Sequence, residues 1–427
     1  MEQNNYRISQ ICSIKSGKRL PAGTDFSLEP TKYKYIRARD IKAGKIILDD
    51  VAYIDEETKQ KINKYIINKG DIAITIVANI GDIGYADSKC DGINLTENAV
   101  RLTKFDKDIV NSKYLAYYLS QPLMKTYMEN LAAGAAQAKL GIYKIEKMKI
   151  QLPNIAIQND IVNVIEKFDS LIELNTKRIK TLEQMAENLY KEWFVRFRFP
   201  GHEKAEFEDT KLGELPSSFQ ILKMKDVISY YIGGGWGNDE EDKDFSVEAY
   251  VIRGTDFPNV SVGNLSTCPL RYHKQSNYNS RKMQKHDIVI EISGGTDEKP
   301  VGRSLLVTQD VLERFDNRVI CASFCKLVRL NFEVVSPIFF YYWMQFLYDT
   351  RIIDRYQLQS TGIINFQFEY FLKKGDIMIP PKELMEKFDE LIEPIHNEIA
   401  ALSKQNENLI KQRDLLLPRL MSGKLEV

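Results

Sequence analysis

The sequence is poor in the residues from which most site chemistry is built. It has four histidines, His202, His273, His286 and His396, and none stands at metal-ligand or catalytic spacing from another such residue. Its five cysteines, Cys12, Cys90, Cys268, Cys321 and Cys325, are odd in number and scattered. That excludes a disulfide framework and fits a reducing compartment. Cys321 and Cys325 form CASFC, but no second pair follows at zinc spacing, so both are expected as buried thiols. No apolar run is long. IFFYYWMQFLY at 338–348 falls well short of the about 20 residues a bilayer demands, and reads as a buried helix face. The opening MEQNNYRISQ is too polar for a secretory signal, which predicts a soluble, cytoplasmic chain without a membrane role. Neither sign of charge prevails: Lys+Arg and Asp+Glu are both 59, so any case for a polyanionic partner must be local. There is no G-x-S-x-G, no H-E-x-x-H and no paired-carboxylate signature. GGGWGN (233–238) lacks the Lys-Ser/Thr ending of a phosphate loop and the spacing of G-x-G-x-x-G. Nothing can be named as a catalytic or metal-binding residue, and no cofactor is implied for this chain.

What the sequence does have is itself, twice. EKFDSLIE (166–173) returns as EKFDELIE (386–393), identical at seven of eight positions and 220 residues away. Ordered parallels precede it. YIRARDI (35–41) matches VIRGTDF (251–257), NKGDIAIT (68–75) matches QKHDIVIE (284–291), YLAYYL (114–119) matches FFYYWM (339–344), and KIQLP (149–153) matches IMIP (377–380). Two copies with units this long are two related halves, not a solenoid. Each half opens with a mixed region in which runs such as DIAITIV read as strands and SKYLAYYLSQPLMKTYM as helix. Each closes with a long helical pattern entered through proline. The predicted class is α+β: two similar mixed globules separated by two long antiparallel helices. The boundaries are a first head over 1–152, a helical region over 153–198, a linker over 199–218, a second head over 219–379 and a second helical region over 380–427.

The helical regions carry heptads. Ile161, Ile165, Phe168, Ile172, Asn175, Ile179, Leu182, Ala186, Leu189 and Trp193 recur at alternating spacings of four and three, as do Met385, Phe388, Ile392, Ile395, Ile399, Leu402, Asn406, Leu409, Arg413 and Leu416. A seam this narrow predicts a coiled coil rather than amphipathic helices lying singly on globules. Each seam holds one asparagine. Facing Asn175 with Asn406 in an antiparallel pair sets the register: facing numbers sum to 581, Ile179 meets Leu402, Ile165 meets Leu416 and Trp193 meets Phe388. Phe168 against Arg413 is the awkward layer, unless the arginine stacks or turns outward. Pro394 predicts a kink or the true start of the second helix.

Two similar heads held apart by a stiff spacer suit DNA, whose half-sites are spaced by helical turns. Local basic clusters fit: Lys15, Lys18 and Arg19 in KSGKR, then Arg37 and Arg39, and in the second half Arg253 and Lys274. Asn79, Gln137 and Lys139 in the first half and Trp236, Asn238, Thr361 and Asn365 in the second are the other candidate DNA contacts, polar or aromatic residues on loops. AAGAAQAKLG (132–141) and QSTGIINFQ (359–367) occupy the same place in the two halves. The competing expectation is a coiled-coil scaffold whose heads bind proteins; steep salt dependence would separate the two.

The stretch LPNIAIQNDIVNVIEKFDSLIELNTKRIKTLEQMAENLYKEWFVRFRFPGHE and the C-terminal NLIKQRDLLLPRLMSGKLEV resemble the two helical regions of the specificity (S) subunits of type I restriction–modification systems. The resemblance implies that each globule is a target recognition domain reading half of a bipartite, asymmetric DNA sequence. The helices would set the spacing and dock two methyltransferase (M) subunits, and restriction (R) subunits would join them. S-adenosylmethionine would be bound by the methyltransferase partner and ATP by the restriction partner, with none bound here. The N-P-P-[FY] motif of adenine methyltransferases is absent from the chain, in keeping with a non-catalytic subunit.

Overall fold

A computed structural model describes residues 3–133, 138–296, 299–360 and 363–425. They form two compact units, Met1–Ser170 with Ile410–Val427, and Leu171–Leu409.

In the first unit the strand Asn4–Arg7 pairs antiparallel with Lys149–Leu152, closing the head on itself. Ala99–Thr103 lies between Ser13–Ser16 and Ile72–Thr75, antiparallel to both. Tyr33–Ile36 runs parallel to Ile93–Leu95. Ile72–Thr75 is buried along its whole length, which is why DIAIT reads as a continuous apolar run instead of an alternation. The helix Ser112–Leu119 begins at Asn111, whose side chain accepts from the Lys113 and Tyr114 amides. Ile74, Val100, Leu102, Tyr114 and Leu152 share one core with Ile161, Ile165 and Leu420.

The second unit repeats these pairings in the same order. Gln220–Lys223 pairs with Asp376–Ile379, Cys325–Leu330 lies between Ile228–Gly233 and Ile288–Glu291, and Val247–Ile252 runs parallel to Val319–Cys321. The run at 338–348 lies in the helix Pro337–Asp349, capped by Ser336; Phe339, Phe340, Trp343 and Met344 are buried in it.

The repeated words in the sequence correspond to repeated turns. In I-R-x-x-D the aspartate caps the turn: Asp40 accepts from the Arg37 amide at 2.8 Å and from its guanidinium twice at 3.0 Å. Asp256 does the same for Arg253 at 2.9, 2.9 and 3.0 Å. In K-x-D, Asp71 accepts from the Asn68 amide and lies 3.4 Å from Arg101, while Asp287 accepts from the Gln284 amide and lies 2.9 Å from Arg329. Burial raises Asp287, and the Arg329 bond offsets only part of that shift.

The long helices are Ile155–Tyr190, followed by one π-helical turn at Lys191–Val195, and Lys382–Met421. They pack on each other. In the second unit Asn175, only 1 % exposed, donates to Asn406 at 3.0 Å and to Gln405 at 3.0 Å. Ile179 clusters with Ile399 and Leu402, and Trp193 lies 5.9 Å from the Phe388 ring. In the first unit Ile165 and Leu416 meet in the core. Arg413 neither depends on Phe168 nor turns to solvent: it binds Asp169 at 2.7 Å, and Asp169 also accepts from the Tyr117 hydroxyl at 2.6 Å.

Two expectations change. The second helix is continuous through Pro394 and Pro418. A proline inside a helix costs about 3 kcal/mol, but Phe388 and Ile392 before it and Ile399 and Leu402 after it are all buried, so packing on both sides holds the helix together. The linker is not featureless either. Phe207–Thr210 and Gly213–Pro216 form a hairpin, and the flanking Phe199 and Phe219 are buried in the large core of the second unit. Its charged residues lie on the exposed faces of that hairpin, which is why composition alone reads as linker.

Candidate nucleic-acid interface

In the first head the loop after Ser13–Ser16 is pulled tight against the turn that follows Ile93–Leu95. The Gly17 amide donates to Ala99 O at 3.1 Å and the Lys18 amide to Leu95 O at 2.9 Å. A Cβ on residue 17 would lie 1.9 Å from Thr96 O, so only glycine fits. The Tyr35 hydroxyl donates to Lys18 O at 2.7 Å; burial pushes the phenol up to about 12, keeping it protonated as the donor. The segment 138–140 is stitched on from the other side. Leu140 N donates to Ile76 O at 3.0 Å, and Lys139 bridges Val77.

The result is a cleft of about 540 Å³ lined by Lys18, Arg19, Tyr65, Glu97, Lys139 and Tyr143, among others. Three residues singled out from sequence, Lys18, Arg19 and Lys139, thus come together. Lys18 Nζ stands 5.7 Å from the Tyr65 ring centre. Arg19, 80 % exposed, bonds Glu97 at 2.8 Å. Burial alone would raise the Glu97 carboxyl, but bonds from Arg19 and neighbouring donors outweigh it and hold the group below its ordinary value. Asn79 is exposed in the turn after Ile72–Thr75, its carbonyl held by the Thr75 hydroxyl. Lys15 is exposed on its strand opposite Arg101. Arg37 is held by Asp40, and Arg39 binds Asp50 at 2.9 Å; neither lines the cleft. Gln137 lies outside the described residues.

The second head carries the same loops with other side chains. The Gly234 amide donates to Cys325 O and the Gly235 amide to Cys321 O, both at 2.9 Å, and a Cβ on Gly234 would lie 2.1 Å from Ala322 O. GGGW (233–236) is therefore the counterpart of SGKR (16–19). Phe366 N donates to Ile292 O at 2.9 Å, as Leu140 does to Ile76, which makes Asn365 the counterpart of Lys139. Asn365 accepts from the Ser293 hydroxyl at 2.7 Å. Trp236 is 39 % exposed, with the Arg271 guanidinium 4.7 Å from its ring. Arg271 is also paired with Asp239. Lys274 stands 5.0 Å from the Phe245 ring and 3.8 Å from Asp244. Asn238 donates to Asp242 at 3.1 Å. Backbone bonds from Phe245 and Asp244 hold the Asp242 carboxyl below its ordinary value. Arg253 is held by Asp256 and by Thr267 O at 2.6 Å. Thr361 lies outside the described residues.

Sequence reasoning missed Gly17, Tyr65, Glu97 and Tyr143. The one available signal was glycine at 17 and 234 in corresponding places, and it is too weak to find without the strand pairing. The five cysteines are buried, and burial pushes Cys12, Cys90, Cys268 and Cys321 up to about 12. Among the described residues no His/Cys/Asp/Glu group is placed to hold a metal ion, and no helix is long and apolar enough to cross a membrane.

Residues 2–184 match the family model described as the type I restriction modification DNA specificity domain. The chain is 25% identical over 384 residues to the type I restriction enzyme MjaIX specificity subunit of Methanocaldococcus jannaschii, covering 88% of this chain and 82% of that protein. It is 24% identical over 451 residues to the HindI specificity subunit of Haemophilus influenzae, covering 94% and 96%. In fold it is similar to the crystal structure of a type I restriction–modification S subunit from M. genitalium, with a TM-score of 0.55 at 14% identity, covering 99% and 96% of the two chains.

Proposed function

From the match of residues 2–184 to the type I restriction modification DNA specificity domain, we propose that this chain is the non-catalytic DNA-recognition subunit of a type I restriction–modification complex. The head over residues 1–152 and the head over 219–379 each read one half of a bipartite, asymmetric target. Lys18, Arg19 and Lys139 in the cleft of the first head meet phosphates and base edges, and Trp236, Asn238 and Asn365 do the corresponding work in the second head. Lys15, Arg39, Asn79, Gln137, Lys274 and Thr361 complete the proposed contact set, with Arg37 and Arg253 reaching DNA only through the outer edges of their turns. The two long helices fix the spacing and dock two methyltransferase subunits, and restriction subunits join these. S-adenosylmethionine belongs to the methyltransferase partner and ATP to the restriction partner; this chain binds neither. It works in the cytoplasm, where the DNA is.

The observation that carries the reading is the recurrence of one loop cluster on a repeated strand frame with different side chains in each copy. That is what reading two unlike half-sites with one architecture requires. The test is to replace residues 1–152 by the head of another specificity subunit and to map methylated adenines in DNA from cells carrying each version. One half of the target should change and the other, with the spacer, should stay. A change in both halves overturns the modular reading. Binding of DNA that does not weaken as salt rises would favour protein-binding heads instead.

A further inference from the structure

One turn of the second head reverses the chemistry of its counterpart in the first. In the first head Ile76 N donates to Asn98 O at 2.8 Å and Leu140 N to Ile76 O at 3.0 Å. In the second Ile292 N donates to Phe324 O at 2.8 Å and Phe366 N to Ile292 O at 2.9 Å. Phe324 therefore stands where Asn98 stands, and Ser323 stands where Glu97 lines the cleft of the first head. A polar turn has become an apolar one, and Phe324 is 67 % exposed. A single apolar side chain in water needs no explanation, but Phe324 has neighbours of its kind.

In the strand pair Gln357–Ser360 with Ile363–Phe366, Leu358 lies directly opposite Asn365, and Ile363 is two residues before it. Residues opposite or two apart share a face, so Leu358 and Ile363, both exposed, flank Asn365, while Ile364 and Phe366 are buried on the other side. The cations of this head do not set its character, because Arg271 and Lys274 are already faced by Asp239 and Asp244. Phosphates have little use for such a surface. Bases offer one apolar group at their edges, the thymine 5-methyl, in the groove that is wide enough for a two-stranded ribbon. A wedge driven between base steps is the other apolar use, but here three side chains lie along a turn and a strand pair, which suits a groove edge.

We infer that Phe324, with Leu358 and Ile363 beside Asn365, packs on a thymine methyl group in the second half-site, an assignment that rests on the DNA reading of this head and names what its loops select. The half of the target that stays when residues 1–152 are exchanged is that half-site. Each of its thymines is replaced in turn by uracil, which lacks only the methyl, and the duplexes are titrated with the full chain in its native complex. One uracil should weaken binding about fourfold, the worth of one buried methyl group. Phe324→Ala should weaken binding of the thymine duplex by a similar factor and make that uracil indifferent. Phe324→Leu should keep part of the discrimination, which separates a lost contact from a damaged turn. Equal binding of thymine and uracil duplexes throughout this half, or a uracil effect that survives Phe324→Ala, overturns the inference. If Lys18→Ala still weakens binding of the same duplex, the DNA reading stands without it; if no duplex is bound specifically, both fall. Unchanged DNA binding by Phe324→Ala with loss of a protein from the complex gives the surface to a partner polypeptide and overturns the inference too.

Discussion

The loop at 16–19 and the loop at 233–236 leave equivalent strands, end in the same backbone bonds and need a glycine at the same point, yet one displays Lys18 and Arg19 and the other Gly235 and Trp236. The neighbouring position is Lys139 in one head and Asn365 in the other. Around them the charge differs as well. The first cleft keeps an exposed arginine and two lysines against a single glutamate. In the second head Arg271 and Lys274 are already faced by Asp239 and Asp244. The frame is thus common property of both copies, while the surface groups differ copy by copy. The residues that hold each turn, Asp40 and Asp256, Asp71 and Asp287, take no part in that divergence.

The strongest way to break this comparison is to remove the buried aspartates. Asp71→Ala and Asp287→Ala should each destabilise their unit by about 3 kcal/mol, because each leaves an arginine without its buried partner; urea denaturation followed by hydrogen exchange in each unit would measure it. A large effect in one copy and none in the other would mean that the frames are not equivalent. Gly17→Ala and Gly234→Ala should cost about 2 kcal/mol each by forcing a side chain into a carbonyl oxygen, read by the same denaturation.

A third test uses a difference between the units. Tyr117 donates to Asp169, but its counterpart Tyr342 pairs with His396 at 2.8 Å. Burial lowers His396 to about 4. An imidazole that resists protonation in the fold contributes stability above its ordinary value of 6.5, and that contribution is lost as pH falls from 6.5 towards 4. Through His396 acid should therefore loosen the helix 337–349 by about 2 kcal/mol, a contribution the helix 112–119 lacks and one opposed by Asp389, which bonds the Ser336 cap and which burial raises to about 6. His396→Asn should flatten that difference, as hydrogen exchange at pH 7 and pH 4.5 would report. The smallest effects are expected at the DNA surface. Lys18→Ala and Arg19→Ala should each weaken binding by about 1 kcal/mol and lower the salt slope by about one. Trp236→Ala should weaken it with the slope unchanged. Equal slopes for all three would erase the electrostatic contrast between the heads.

The repeat and the helical seam were legible because heptads and identical words survive in one dimension. Asn175 and Asn406 could be set opposite each other from spacing alone. The meaning of I-R-x-x-D was not legible: a recurring arginine marks constraint, and only the bond to Asp40 or Asp256 shows that the constraint is a turn. The cleft of the first head was partly legible. Lys18, Arg19 and Lys139 are cations in loop-like stretches, but Tyr65 and Glu97 reach them through strand pairing across dozens of residues, which local pattern does not encode. The hairpin at 207–216 escaped for a similar reason, since most of its side chains face water.

The first unit includes residues 410–427, with Leu420 and Met421 in its core beside Ile161 and Ile165. During synthesis on the ribosome, the second unit's whole stretch emerges before that core has its last members. The head made first is therefore the last to be finished. A premature stop near codon 410 would damage the beginning of the protein while sparing its middle.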